Sequence, residues 1–126
     1  MAKPHLRPSQ SSGVTPAEFH ILLALSDADR HGYAVMQQVA ADSAGDVQLG
    51  PGTLYTAIKR LLDYGFIREV ESRVDPDIDD ARRRYYRLSP AGRTAALAEA
   101  DRLAGLVRLA KGKQLMSKAA KERSRS

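Results

Sequence analysis

The stretch LGPGTLYTAIKRLLDYGFI, residues 49–67, decides the fold. It opens with Gly50 and Gly52 around Pro51, then runs from Thr53 to Tyr64 without another helix breaker. Stepping about 100° per residue from Leu54 puts Ala57, Ile58, Leu61 and Leu62 on one arc. Thr53, Thr56, Lys59, Arg60 and Asp63 fall on the other, with Tyr55 at the border. The spacing therefore predicts a helix with one buried face and one polar, basic face. Pro51 suits its first turn, where a missing N–H costs little. Glycines at the entrance allow an outside phosphate to approach the helix N-terminus closely. Gly65 predicts the stop, and Phe66-Ile67 the start of a strand.

Working outward, Thr15-Pro16-Ala17-Glu18 has the form of a capping box with proline at the first helical position. A first helix is expected there, with Phe19, Leu22, Leu23 and either Ala24 or Leu25 inward, ending at Ser26-Asp27-Ala28-Asp29. A second helix is expected over about His31 to Ala44, with Val35, Met36, Val39 and Ala40 inward, Gln37 and Gln38 outward, and Gly45 as its stop. Val47-Gln48-Leu49 reads as a short extended link. After the third helix, two strands are expected over about Ile67 to Val74 and Arg82 to Leu88, turning at Asp75-Pro76-Asp77. In the second strand Tyr86 and Leu88 share one face and Arg83, Tyr85 and Arg87 the other. Ser89-Pro90 caps a fourth helix from about Ala91 to Lys111.

The expected fold is mainly α with a small β-hairpin, a winged helix-turn-helix followed by a C-terminal dimerisation helix. Its divisions are a flexible arm over residues 1–13, the winged domain over 14–88, the dimerisation helix over 89–115 and a basic disordered tail over 116–126. The helix entrance and exposed face (Gly50, Pro51, Gly52, Thr53, Tyr55, Thr56, Lys59 and Arg60) are the candidate contacts to base edges and phosphates. Arg82, Arg83 and Arg84, with Arg87 on the same ribbon, are placed to follow the DNA backbone or enter the minor groove.

In the fourth helix Ala96, Ala100, Leu103, Val107 and Ala110 recur at steps of four and three, the spacing of a packed helix pair, and Leu106 and Leu109 widen the stripe. A helix added after a complete three-helix core has little of that core left to cover, which favours a partner subunit over its own domain.

The chain has 126 residues and a net charge of +5, with a pI near 9.7. That charge is uneven. Residues 111–126 hold six basic residues against Glu122, and Lys3 and Arg7 add two more near the start, so residues 14–110 carry a formal −2. The global charge therefore says little about the folded part. Cysteine is absent, which excludes disulfides, thiol catalysis and cysteine metal sites. No apolar run approaches the roughly 18 residues of a membrane helix, and residues 1–13 lack the apolar centre of a secretion signal. A cytoplasmic protein is expected.

His31-Gly32-Tyr33, Gly50-Pro51-Gly52-Thr53-Leu54-Tyr55, Leu61, Gly65-Phe66-Ile67 and Arg84-Tyr85-Tyr86-Arg87-Leu88-Ser89-Pro90-Ala91-Gly92, in this order and spacing, resemble the PadR family of bacterial winged-helix transcriptional regulators. The likeness covers about residues 15–110, and the short C-terminal region resembles the family's smaller subtype with one C-terminal helix. The resemblance implies a dimeric repressor of detoxification, efflux or stress genes on a double-stranded operator with dyad symmetry. It also implies that Tyr55 and its neighbours touch DNA and that the last helix dimerises. The segment VDPDIDDARRR is longer and more acidic than the short glycine-bearing wing loop of the family pattern, and there is no tryptophan. No ligand identity follows. An apolar cavity between paired first and fourth helices would suit a small aromatic or amphipathic effector.

Other chemistries find less support. Arg82 to Arg84 have a competing reading as a solvated balance to Asp75, Asp77, Asp79 and Asp80. Tyr86 reads as a core-edge aromatic. Asp75-x-Asp77-x-Asp79 begins like a calcium loop, but Pro76 lies inside it, and Asp80 and Tyr86 take the glycine and final glutamate positions. His5, His20 and His31 have no metal-ligand spacing, and His20 reads as a hydrogen-bonded helix residue. No metal or cofactor is expected. No catalytic motif supports a small hydrolase, and the alternative to DNA binding is a winged helix that binds another protein.

Overall fold

The computed structural model describes residues 13–71 and 84–117. Within them the order is α1 (Pro16–Ala24), β1 (Arg30–His31), α2 (Gly32–Asp42), α3 (Pro51–Tyr64), β2 (Ile67–Glu71), β3 (Arg84–Leu88) and α4 (Pro90–Gly112). The strands form an antiparallel sheet in the order β1-β3-β2, with Ile67 opposite Leu88 and Glu71 opposite Arg84. This is the winged helix-turn-helix expected from the sequence, and α4 follows the wing. The turn at Asp75-Pro76-Asp77, Arg82, Arg83 and residues 1–12 of the expected arm lie outside the described residues, as does the tail from residue 118 on.

The expected helix starts are present. The Glu18 amide donates to the Thr15 hydroxyl at 3.1 Å, and the Thr15 amide donates to Glu18 Oε1 at 2.9 Å, which completes the capping box of α1. Gly65 takes a left-handed φ of 78°, and the Phe66 amide reaches back to the Leu61 carbonyl at 3.0 Å, closing α3. The Ser89 hydroxyl accepts from the Gly92 amide at 3.0 Å and donates to the Gly65 carbonyl at 2.6 Å, so one side chain starts α4 and ties it to the end of α3. Gly92 is needed there, because a β-carbon would overlap the backbone carbonyl of Phe66.

Four expectations are corrected. α1 buries Glu18, Ile21, Leu22 and Ala24, with Leu25 beneath its end, whereas Leu23 is exposed and Phe19 only partly covered. This nine-residue helix is apolar around most of its circumference, so periodicity could not select the inward face. α2 is shorter than expected: it ends at Asp42, and Ala44 and Gly45 both adopt left-handed φ. His31 is not its first residue but the end of β1, paired with Tyr85, and its Nδ1 accepts from the Ala34 amide at 3.1 Å as the cap of α2. A two-residue strand has no period and exists only because β3 supplies its partner. His20 has a buried Nδ1 with no hydrogen-bond partner.

The core gathers Ile21 and Leu22 of α1, Val35 and Val39 of α2, Leu54, Ile58 and Leu61 of α3, Ile67 and Tyr86. Complete burial of side chains of this size contributes about 1.5–3 kcal/mol each. Tyr86, expected at the edge of the core, is buried within it, and burial raises its hydroxyl pKa, with the Glu69 carboxylate adding to the effect. Carbonyls at and just beyond the end of α1 are served from outside the helix. Arg30 Nε donates to the Ala24 carbonyl at 2.8 Å, and Arg93 Nη2 to that of Ser26 at 3.2 Å. These contacts anchor the α1–β1 turn to the sheet and to α4.

Candidate nucleic-acid interface

α3 presents the predicted face. Thr53, Tyr55, Thr56, Lys59 and Arg60 are exposed while Leu54, Ala57, Ile58 and Leu61 are buried beneath them. Its N-cap, Gly50, offers no side-chain acceptor to the first amides. A β-carbon at Gly50 or Gly52 would meet nothing within 4 Å, so crowding within the described chain does not require glycine at either position. The entrance of α3 is therefore bare toward solvent, with amide donors and the positive end of the helix dipole available to an anion.

Tyr55 has a second role that sequence reasoning missed. A β-carbon at Gly32 would stand 2.8 Å from Tyr55 Cζ, so the ring packs over the first turn of α2 while remaining half exposed. The signal was Gly32 itself, a glycine opening a helix with ordinary φ. Nearby Tyr33 is 60% exposed and adds an aromatic beside the same helix entrance.

The cations of the site already have acidic neighbours. Lys59 Nζ lies 3.8 Å from Asp63, one turn on, with both side chains exposed. Arg60 Nε lies 3.9 Å from Glu18 Oε2, which α1 holds almost fully buried. Arg84 Nε lies 3.3 Å from Glu69 across the β2–β3 ladder. Arg82 and Arg83, the other ribbon candidates, lie outside the described residues. Arg87, expected on the ribbon's free face, instead grips Asp29 with hydrogen bonds of 2.8–3.2 Å. These bonds hold the Asp29 carboxyl below its usual pKa and raise that of the guanidinium. Arg87 therefore braces β3 against the α1–β1 turn.

An open cavity of about 240 Å³ separates the starts of α1 and α3, lined by Thr15, Ala17, Glu18, Thr53, Thr56, Ala57 and Arg60. Among the described residues no group of three or more His, Cys, Asp or Glu could hold a metal, and no helix is long and apolar enough to cross a membrane.

The expected interface stripe on α4 divides in two. Gly92, Ala95 and Glu99 are buried on the domain itself, and Ala96 packs against its core. Continuing the same arc, Leu103 and Ala110 are partly covered, whereas Leu106 and Val107 are 49% and 47% exposed. Ala100 is exposed at the edge of this arc. One helical face thus packs on its own domain in its first half and is largely uncovered in its second. Glu99 is held by Arg102 through bonds of 2.8 and 2.6 Å where the two halves meet.

Known proteins resemble this chain in sequence and in fold. The chain is 37% identical over 90 residues to an uncharacterised 37.1 kDa protein in transposon TN4556 of Streptomyces fradiae, which spans 71% of this chain but only 24% of that protein. It is 36% identical over 95 residues to the transcriptional regulator Rv3488 of Mycobacterium tuberculosis, covering 75% of this chain and 82% of the relative. The structure of a PadR family transcription regulator from Clostridium difficile superposes with a TM-score of 0.64 at 23% identity, over 77% of this chain and 96% of the other. Bacillus subtilis PadR in complex with operator DNA superposes with a TM-score of 0.55 at 19% identity, over 70% and 46% of the two chains. Residues 21–98 match the transcriptional regulator PadR-like family, and with its winged helix this chain belongs to that family of transcriptional regulators, not to an enzyme class.

Proposed function

We propose that this regulator is a sequence-specific, double-stranded DNA-binding repressor that acts as a cytoplasmic homodimer. The observation that carries the reading is α3, a helix with a bare, uncapped entrance and a row of exposed hydroxyl, phenol and cationic side chains over a fully apolar underside. Such a helix can lie in a major groove with its first turn toward phosphate. The Bacillus subtilis relative, whose structure contains operator DNA, supports the reading. Two copies joined through the uncovered half of α4 would read an operator of dyad symmetry, with half-sites about one helical turn apart. Arg82, Arg83 and Arg84 would follow the flanking backbone. A small aromatic or amphipathic effector held between subunits would loosen the operator complex by favouring a different spacing of the wings. The arm at residues 1–13 and the basic tail at 116–126 would add sequence-independent attraction.

A second reading, a winged helix that docks on protein, is favoured by the carboxylates beside Lys59, Arg60 and Arg84. A fluorescence titration with random duplex DNA at two salt concentrations separates the two. Binding that weakens steeply with salt supports the DNA reading, and no salt-dependent binding refutes it.

A further inference from the structure

Glu18 is an unusual neighbour for a DNA-facing helix. Its carboxylate is 2% exposed, and burial of a charge is costly unless a partner compensates for it. The capping box uses only Oε1, which accepts from the Thr15 amide at 2.9 Å, and glutamine serves that purpose equally well. What glutamate adds is a second charged oxygen, and Oε2 lies 3.9 Å from Arg60 Nε. Arg60 is on the same face of α3 as Thr53 and Thr56, and all three line the open cavity beside α1. Its side chain is 57% exposed. A guanidinium carries five N–H donors in a rigid plane. Attraction at Nε restricts the swing of that plane while its terminal nitrogens remain available to an outside acceptor.

We propose that Glu18 is a positioning residue for operator recognition: it holds Arg60 as a preoriented clamp for one backbone phosphate beside the groove. This rests on the DNA-binding reading above. A fixed phosphate contact sets the register of α3 on the operator without reading a base itself. Mobile, nonspecific binding has no such register, so orientation matters there much less than charge.

The test compares an operator fragment, selected from a random duplex pool by the purified protein, with random duplex at fixed salt. Glu18→Gln keeps the cap and removes one negative charge near the DNA. If Glu18 positions Arg60, operator affinity falls about three- to tenfold, while random-DNA affinity holds or rises. In an Arg60→Ala background the same change causes no further loss of operator affinity. Arg60→Lys, a substitution at an exposed site that keeps the charge, lowers operator affinity more than random affinity. Thr15→Ala lowers the melting temperature through loss of the cap and leaves the operator-to-random ratio intact. Operator and random affinity rising together in Glu18→Gln, an undiminished loss in the Arg60→Ala background, or wild-type behaviour of Arg60→Lys would each overturn the role. A wild-type protein without salt-dependent DNA binding would overturn the underlying reading itself.

Discussion

Replacing Leu106 and Val107 together by aspartate tests the proposed assembly where the structure leaves it most open. The two side chains are 49% and 47% exposed on the uncovered half of α4, so the isolated domain should tolerate the change. Full burial of such a side chain is worth about 1.5–3 kcal/mol, and about half of that remains available to a partner at each position. A twofold interface uses each residue twice. Four half-buried side chains then supply about 3–6 kcal/mol of association, and carboxylates placed in the seam oppose it further. The dissociation constant should rise at least a hundredfold. Sedimentation velocity at micromolar concentration should show a dimer for the parent chain and a monomer for the double variant, with a similar melting temperature for the monomeric domain. Leu97→Asp is the control. Leu97 is 61% exposed, more than either, yet lies on the opposite side of α4, and its variant should remain dimeric. A double variant that stays dimeric, or a Leu97→Asp protein that dissociates, would refute this interface.

Gly92→Ala should destabilise the fold by about 2 kcal/mol or more, because overlap with the Phe66 carbonyl outweighs the roughly 1 kcal/mol that alanine otherwise contributes to a helix; chemical denaturation measures the difference. Lys59→Ala should weaken binding to all DNA sequences and lower the salt slope by about 1. The loss should be partly reversed in a Lys59→Ala, Asp63→Asn double variant, since Asp63 is left beside the phosphates without its cation; an unchanged slope counts against a phosphate contact. The Asp29 carboxyl has a folded pKa below its unfolded value, so its contribution is present above the unfolded pKa of about 4 and is lost as pH falls through the lower folded value. Asp29→Asn should therefore reduce stability at neutral pH and flatten the decline in acid, as thermal melts across pH 2–7 would show.

Much of this protein was determined by local chemistry that a linear reading can follow. α3 was legible because one helix carries four buried apolar residues on a single arc, and its stop was legible because a left-handed residue was needed at Gly65. The caps at Thr15 and Ser89 were legible because each acts within three residues of itself. The polar face of α3 followed from the same periodicity, so the candidate contacts Thr53, Tyr55, Thr56, Lys59 and Arg60 emerge together in space. What tertiary structure alone decided depends on residues far apart in the chain. β1 exists through its pairing with β3, and Arg87 is tied to Asp29, 58 residues away in sequence. Tyr55 packs on Gly32, and Glu18 turns from a simple helix cap into a buried neighbour of Arg60. The stripe on α4 was visible as a period, but a period does not say what covers it. Packing assigned its first half to the domain and left Leu106 and Val107 uncovered, because α4 extends beyond the core it begins on.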